Sequence, residues 1–113
     1  MKRVHLFCST NWSQNPDTNR WLAPLDTMLS HIVAEGCQLV RLILIGGDHQ
    51  NDQRYCSLAN LLLSDKGIKA DVESNIRAGD EPAAIARLVS NAVRAAAADK
   101  AELWVDLTPG LKE

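Results

Sequence analysis

The sequence contains few cysteines, and they do not form a paired motif. Three of the 113 residues are cysteine, Cys8, Cys37 and Cys56, and no two of them have C-x-x-C spacing. An odd number of cysteines without that spacing indicates neither a disulfide framework nor a zinc site. We therefore expect the chain to work in a reducing compartment and predict a cytoplasmic location.

Long apolar runs are also missing. The first apolar segment is interrupted by His5 and is followed by the polar stretch N-W-S-Q-N, so it is too short for the core of a signal peptide. No segment approaches the roughly 20 consecutive apolar residues that a membrane-spanning helix needs. The sequence therefore predicts a soluble protein that does not enter a membrane.

An excess of positive charge is absent, and so is the glycine motif of dinucleotide-binding domains. The formal net charge is -2, which argues against a protein that binds nucleic acid through a basic surface. No G-x-G-x-x-G follows the first apolar segment, so a dinucleotide cofactor is not indicated. His5, His31 and His49 are not spaced as metal ligands. We predict neither a metal site nor a cofactor.

The composition is that of a folded domain. Hydrophobic residues make up 46% of the chain and charged residues 23%, which is close to the average for globular proteins. A chain of 113 residues can bury one hydrophobic core but is too short to divide into two. We therefore predict a single domain over residues 1–113.

Short apolar segments alternate with amphipathic ones along the whole chain. Strands are predicted at residues 4–8, 39–45, 68–73 and 102–106, and the third alternates apolar and charged residues as an edge strand does. A helix is predicted between each pair, ending at Gly36 and Gly67 for the first two and beginning at Pro82 for the third. The residues predicted to form the buried stripes of these helices are Trp21, Leu25, Met28, Leu29, Ile32 and Val33, then Tyr55, Leu58, Ala59, Leu62 and Leu63, then Ile85, Leu88, Val89, Ala92, Val93 and Ala96.

This order of elements predicts an α/β fold, an open parallel sheet of the Rossmann-like type with helices on both faces. Right-handed crossovers and an edge-like third strand favour the strand order 3-2-1-4. In sheets of this kind, ligands bind at the carboxyl ends of the strands, where the chain direction switches. The two loops predicted to line that site follow strands one and four.

The loop after strand four carries the residues with the most distinctive chemistry. Asp106 closes the strand, and Thr108, a Pro109-Gly110 turn and Lys112 follow it. Backbone N–H groups in such a turn, supplemented by a lysine ammonium, can bind a phosphate. The same residues also suit a plain turn in which Asp106 caps a helix and Lys112 is solvated.

The heptapeptide D-L-T-P-G-L-K, residues 106–112, resembles the D-x-T-x-G-x-K signature of the CARF family, the CRISPR-associated Rossmann-fold domains. Those domains sense cyclic oligoadenylates made by type III CRISPR complexes. The four key positions of the signature are filled, and Pro109 stands where the family often has glycine. The residues that the resemblance implies for ligand binding are Ser9, Thr10, Asn11, Asp106, Thr108, Gly110 and Lys112.

The resemblance implies a sensor domain over residues 1–113 that forms a homodimer, with the ring-shaped ligand lying across the two-fold axis. CARF domains continue past the lysine with a helix and further strands, and they usually carry an effector domain such as a nuclease on the same chain. We therefore expect the sequence to be a fragment of a longer antiviral-defence protein, an engineered sensor half, or a chain whose dimer partner covers the open edge of the sheet. One alternative is a metal-independent ring nuclease in which Ser9 and Lys112 stabilise charge. Another is a Rossmann-like dimerisation or regulatory domain without a nucleotide ligand. Ring size and cleavage are left open.

Overall fold

The computed structural model describes residues 1–9, 22–45, 52–75 and 82–106. The elements in chain order are β1 (Arg3–Ser9), α1 (Leu22–Ala34), β2 (Gln38–Ile45), α2 (Asp52–Asp65), β3 (Asp71–Asn75), α3 (Pro82–Ala98) and β4 (Glu102–Asp106). The predicted alternation of strands and helices is confirmed. No helix within these four ranges is long and apolar enough to cross a membrane.

The four strands form one parallel sheet in the order β3-β2-β1-β4, as predicted. β1 lies in the interior between β2 and β4, while β3 and β4 are the outer strands. The fold is therefore a Rossmann-like open sheet. Its third strand begins at Asp71, not at Ile68 as predicted from the alternation. The reason is that the Ile68 amide donates to the Leu63 carbonyl at 2.9 Å and belongs to the end of α2.

The two faces of the sheet are covered unequally. α1 and α2 cover one face, and α3 covers the other. The larger core lies under α1 and α2 and contains Val4, Leu6, Cys8, Leu25, Leu29, Ile32, Leu39, Leu42, Leu44, Tyr55, Ala59 and Leu63. The smaller core lies under α3 and contains Phe7, Ile43, Ile45 and Ala92. Successive residues of β1 therefore contribute to alternate faces of the sheet.

A β-bulge interrupts the pairing of β1 with β2. Val4 pairs with Leu39, but His5 pairs with Arg41, so Val40 is an extra residue in β2. Without the bulge, alternation would place Leu39 on the same face as Ile43. With it, Leu39 joins the core under α1 and α2, while Arg41 lies with Ile43 on the α3 face.

Two residues of the predicted helix stripes are on the surface. Val33 of α1 is 52% exposed and Val93 of α3 is 50% exposed. The residue just before each exposed valine is buried, Ile32 in α1 and Ala92 in α3. The buried stripe of each helix is therefore narrower than predicted. The predicted stripe of α2 is confirmed, since its five residues are buried or half-buried. Trp21 and the side chain of Ile85 lie outside the described part of the chain.

Candidate functional site at the carboxyl edge of the sheet

The carboxyl ends of β1 and β4 lie next to each other. Cys8 of β1 pairs with Asp106, the last residue of β4, and Ser9 pairs with Ile45 at the end of β2. Because the strands are parallel, these ends share one edge of the sheet, where ligands bind in folds of this kind. The structure thus brings together Ser9 and Asp106, the two residues of the predicted set that it describes.

The side chains of Ser9 and Asp106 belong to opposite faces. Asp106 is in register with Cys8, which lies under α1 and α2, whereas Ser9 follows the alternation of Phe7 and lies on the α3 face beside Ile45. Ser9 is 1% exposed, and Asp106 is half-buried. The two side chains therefore diverge. What Ser9 and Asp106 share is the position of their backbones at this edge of the sheet.

Cys8 lies beneath this edge as a neutral thiol. Burial raises the pKa of Cys8 to about 12, and the carboxylate of Asp106 adds to the effect. Its Sγ donates to the Ser9 carbonyl oxygen at 3.4 Å. A buried thiol that stays protonated at physiological pH is a poor nucleophile. Cys8, Cys37 and Cys56 are not joined in disulfide bonds.

The other residues predicted for ligand binding lie outside the described residues. They are Thr10, Asn11, Thr108, Gly110 and Lys112. The first two directly follow Ser9, and the other three follow Asp106 within six positions. The roles assigned to them from the family signature stay predictions.

A polar cluster at the opposite edge of the sheet was not predicted from the sequence. Asp99, in the turn between α3 and β4, accepts from Arg3 Nη2 at 2.5 Å through Oδ1 and contacts His5 Nε2 at 2.9 Å through Oδ2. Hydrogen bonds from His5 and then Arg3 lower the pKa of Asp99. The His5 side chain is only 4% exposed, so a substrate cannot reach it. The cluster fastens β1 to the turn before β4 and is not a catalytic pair.

A second contact at the same edge joins Lys2, the residue before β1, to β4. Glu102 accepts from Trp104 Nε1 at 3.0 Å and pairs with Lys2 Nζ at 3.3 Å. The Trp104 hydrogen bond, then the Lys2 hydrogen bond, lowers the pKa of Glu102, and the Glu102 contact raises the pKa of Lys2. These groups are largely solvated, so they contribute little to stability.

No protein-family model matches this chain, and neither the curated proteins nor the solved structures contain a match to it. Within the described ranges, no group of three or more His, Cys, Asp and Glu side chains could hold a metal ion. Support for a site therefore comes from the motif at residues 106–112 and from the placement of its first residue.

Proposed function

We propose that the chain is a CARF-like binding module that holds a cyclic oligoadenylate at the carboxyl edge of its sheet. The observation that carries the proposal is the position of Asp106. This residue begins the D-x-T-x-G-x-K motif and is paired with Cys8 of β1. The two segments that would contact the ligand, residues 107–112 and residues 10–11, therefore leave adjacent parallel strands at the same edge.

The chemistry of these segments suits a ribophosphate ring. Backbone N–H groups in the Pro109-Gly110 turn and the ammonium of Lys112 would bind phosphate oxygens. The hydroxyl of Thr10 and the amide of Asn11 would bind ribose hydroxyls and adenine edges. Because the chain has a net charge of -2, the anionic ligand is held by these few local groups and not by a general basic surface.

We propose that two copies act together, with the ring across the two-fold axis, and that binding regulates an effector domain. Ring cleavage is the alternative, in which the ribose 2'-hydroxyl is held in line with the next phosphate. Ser9 is 1% exposed, which argues against a direct contact between its hydroxyl and the ligand in binding as well as in cleavage. A hydroxyl that is closed to solvent is poorly placed to stabilise charge on a reacting phosphate.

Replacement of Lys112 tests the proposed site. We expect cyclic oligoadenylates to raise the melting temperature of the wild-type chain in a thermal-shift assay. A hundredfold excess over Kd stabilises by about 2.7 kcal/mol, a rise of roughly 10 °C for a domain of this size. Lys112→Ala should lose most of this rise without changing the melting temperature of the free protein. The matched control is Lys69→Ala, which removes an exposed lysine just before the amino end of β3.

The same thermal-shift assay is repeated with cyclic oligoadenylates of several ring sizes, with a linear oligoadenylate and with AMP. Protection by rings alone supports the proposal, whereas equal protection by the linear oligomer, or no protection by any ring, contradicts it. Chromatography of the nucleotide after incubation in EDTA separates the two activities. An intact ring supports the binding module, and linear products support metal-independent cleavage.

A further inference from the structure

An apolar groove runs between α1 and α2 on the outer surface of the larger helical layer. It has a volume of about 410 Å³. Its lining consists of Leu22, Ala23, Asp26, Leu58, Leu61, Leu62 and Asp65. Leu61 stands at the groove with 61% of its surface exposed. A partner that covered Leu61 would remove this apolar surface from water.

The groove is held in shape by a contact between the two helices. Lys66, just after α2, pairs with Asp26 Oδ1 of α1 at 2.5 Å and donates to Ser30 Oγ at 3.0 Å. The Lys66 side chain is only 22% exposed, so it braces α1 against α2. The groove is therefore a formed feature of the surface and does not require the helices to separate.

The charge beside the groove is negative. Lys66 offsets the carboxylate of Asp26, but within the described part of the chain Asp65 has no hydrogen bond or ion pair. The groove thus combines an apolar floor with an unpaired carboxylate. A partner that buries the leucines would gain a further contact by placing a cation near Asp65.

We propose that this groove docks an amphipathic helix of another protein, with leucine-sized side chains on one face flanked by lysine or arginine. Grooves between two helices bind such helices through residues at i, i+3, i+4 and i+7. A small molecule fits less well, because small-molecule sites enclose most of their ligand and this groove is open at Leu61. A second copy also fits less well, since symmetric pairing would bring the same carboxylates together. The proposal does not depend on the nucleotide site.

The probe is a fluorescent helical peptide with leucines at i, i+3, i+4 and i+7 and flanking lysines, measured by anisotropy against the full chain. Leu61→Ser should weaken binding by on the order of tenfold, because the exposed leucine is no longer available for burial. Val33→Ser is the matched control, since Val33 is an exposed apolar residue of α1 outside the groove. Both changes are on the surface and should leave the circular dichroism spectrum unchanged.

Reversing the charge at Asp65 tests whether a cation of the partner lies near this carboxylate. Asp65→Lys should weaken binding of the lysine-flanked peptide about twofold to fivefold and strengthen binding of a glutamate-flanked peptide, with both effects smaller at high salt. The proposal is wrong if neither peptide binds, if a scrambled peptide binds equally well, or if Val33→Ser weakens binding as much as Leu61→Ser. It is also wrong if sedimentation shows a dimer that Leu61→Ser dissociates, because the groove would then be an interface between copies.

Discussion

Asp99 joins two basic side chains of β1 through one carboxylate. Arg3 and His5 are two positions apart in a strand and therefore face the same side, where the turn after α3 brings Asp99 to both. The His5 side chain is buried within β1. Its partner, 94 positions later, could not be predicted, because the contact depends on where the end of α3 meets the sheet.

Replacement of this carboxylate should make the protein less stable at neutral pH. The pKa of Asp99 is lowered, so its contribution to stability is fully present above the ordinary pKa of about 4 and is lost as the pH falls through the folded-state value. Asp99→Asn should lower the urea midpoint at pH 7 and reduce the loss of stability as the pH falls below about 4. Asp65→Asn, at an exposed position outside the cluster, is the control. A wild-type acid response in Asp99→Asn would show that the cluster does not couple folding to pH.

The three helices end in the same way. In each, the amide of the third residue after the helix donates to a carbonyl five positions earlier: Cys37 to Ile32 at 3.0 Å, Ile68 to Leu63 at 2.9 Å and Ala101 to Ala96 at 2.8 Å. The residue before each donor has positive φ, which is the Schellman ending. Two of these residues are the predicted stop signals Gly36 and Gly67, but the third is Lys100, with φ 55°.

Removing the glycine at one of these helix ends should destabilise the protein, and introducing a glycine at another should stabilise it. Gly67→Ala should lower the free energy of unfolding by about 1 kcal/mol through the backbone alone, since an added Cβ would meet no atom within 4 Å. Lys100→Gly should raise it by up to about 1 kcal/mol, because glycine adopts the left-handed conformation without strain. Chemical denaturation of both variants measures the two changes. If both variants were destabilised, or both stabilised, the left-handed backbone conformation would not be what determines the change in the free energy of unfolding.

Element boundaries were predictable where a residue type marks them and not elsewhere. Gly36, Gly67 and Pro82 stand at or near the ends of helices, and the predicted positions agree with the structure. The bulge at Val40 has no such marker, because it arises from the pairing of β2 with β1. The start of β3 was predicted too early because Ile68 continues the apolar alternation but serves as the cap of α2.

Among the residues that the structure describes, most of the buried apolar side chains lie on the side of α1 and α2. Leu6 is fully buried in that core, at the centre of the interior strand. Leu6→Ala should lower the free energy of unfolding by about 2–5 kcal/mol. Val93→Ala should change it by less than about 0.5 kcal/mol, because Val93 is half exposed. Urea denaturation of the two variants compares them, and a large loss for Val93→Ala would contradict the narrow buried stripe of α3.

The strand order and both helical layers could be predicted because they follow from the alternation of elements and from right-handed crossovers. The candidate site is predictable only in its location. Asp106 and Ser9 reach the expected edge, yet strand alternation sends their side chains to opposite faces. The D-x-T-x-G-x-K motif does not predict that the two side chains diverge. It is a local sequence pattern, whereas the face of the sheet on which a side chain lies is set by the register of its strand with β1.

The central place of β1 bears on how the chain folds as it is synthesised. On the ribosome β1 emerges first, and β2 can join it early. Its other neighbour, β4, pairs through Val4 with Glu102 and emerges almost a hundred residues later. Until then one flank of β1, in which Val4, Leu6, Phe7 and Cys8 are apolar, stays open to other nascent chains. Slow translation of the segment between β2 and β4 should therefore increase aggregation.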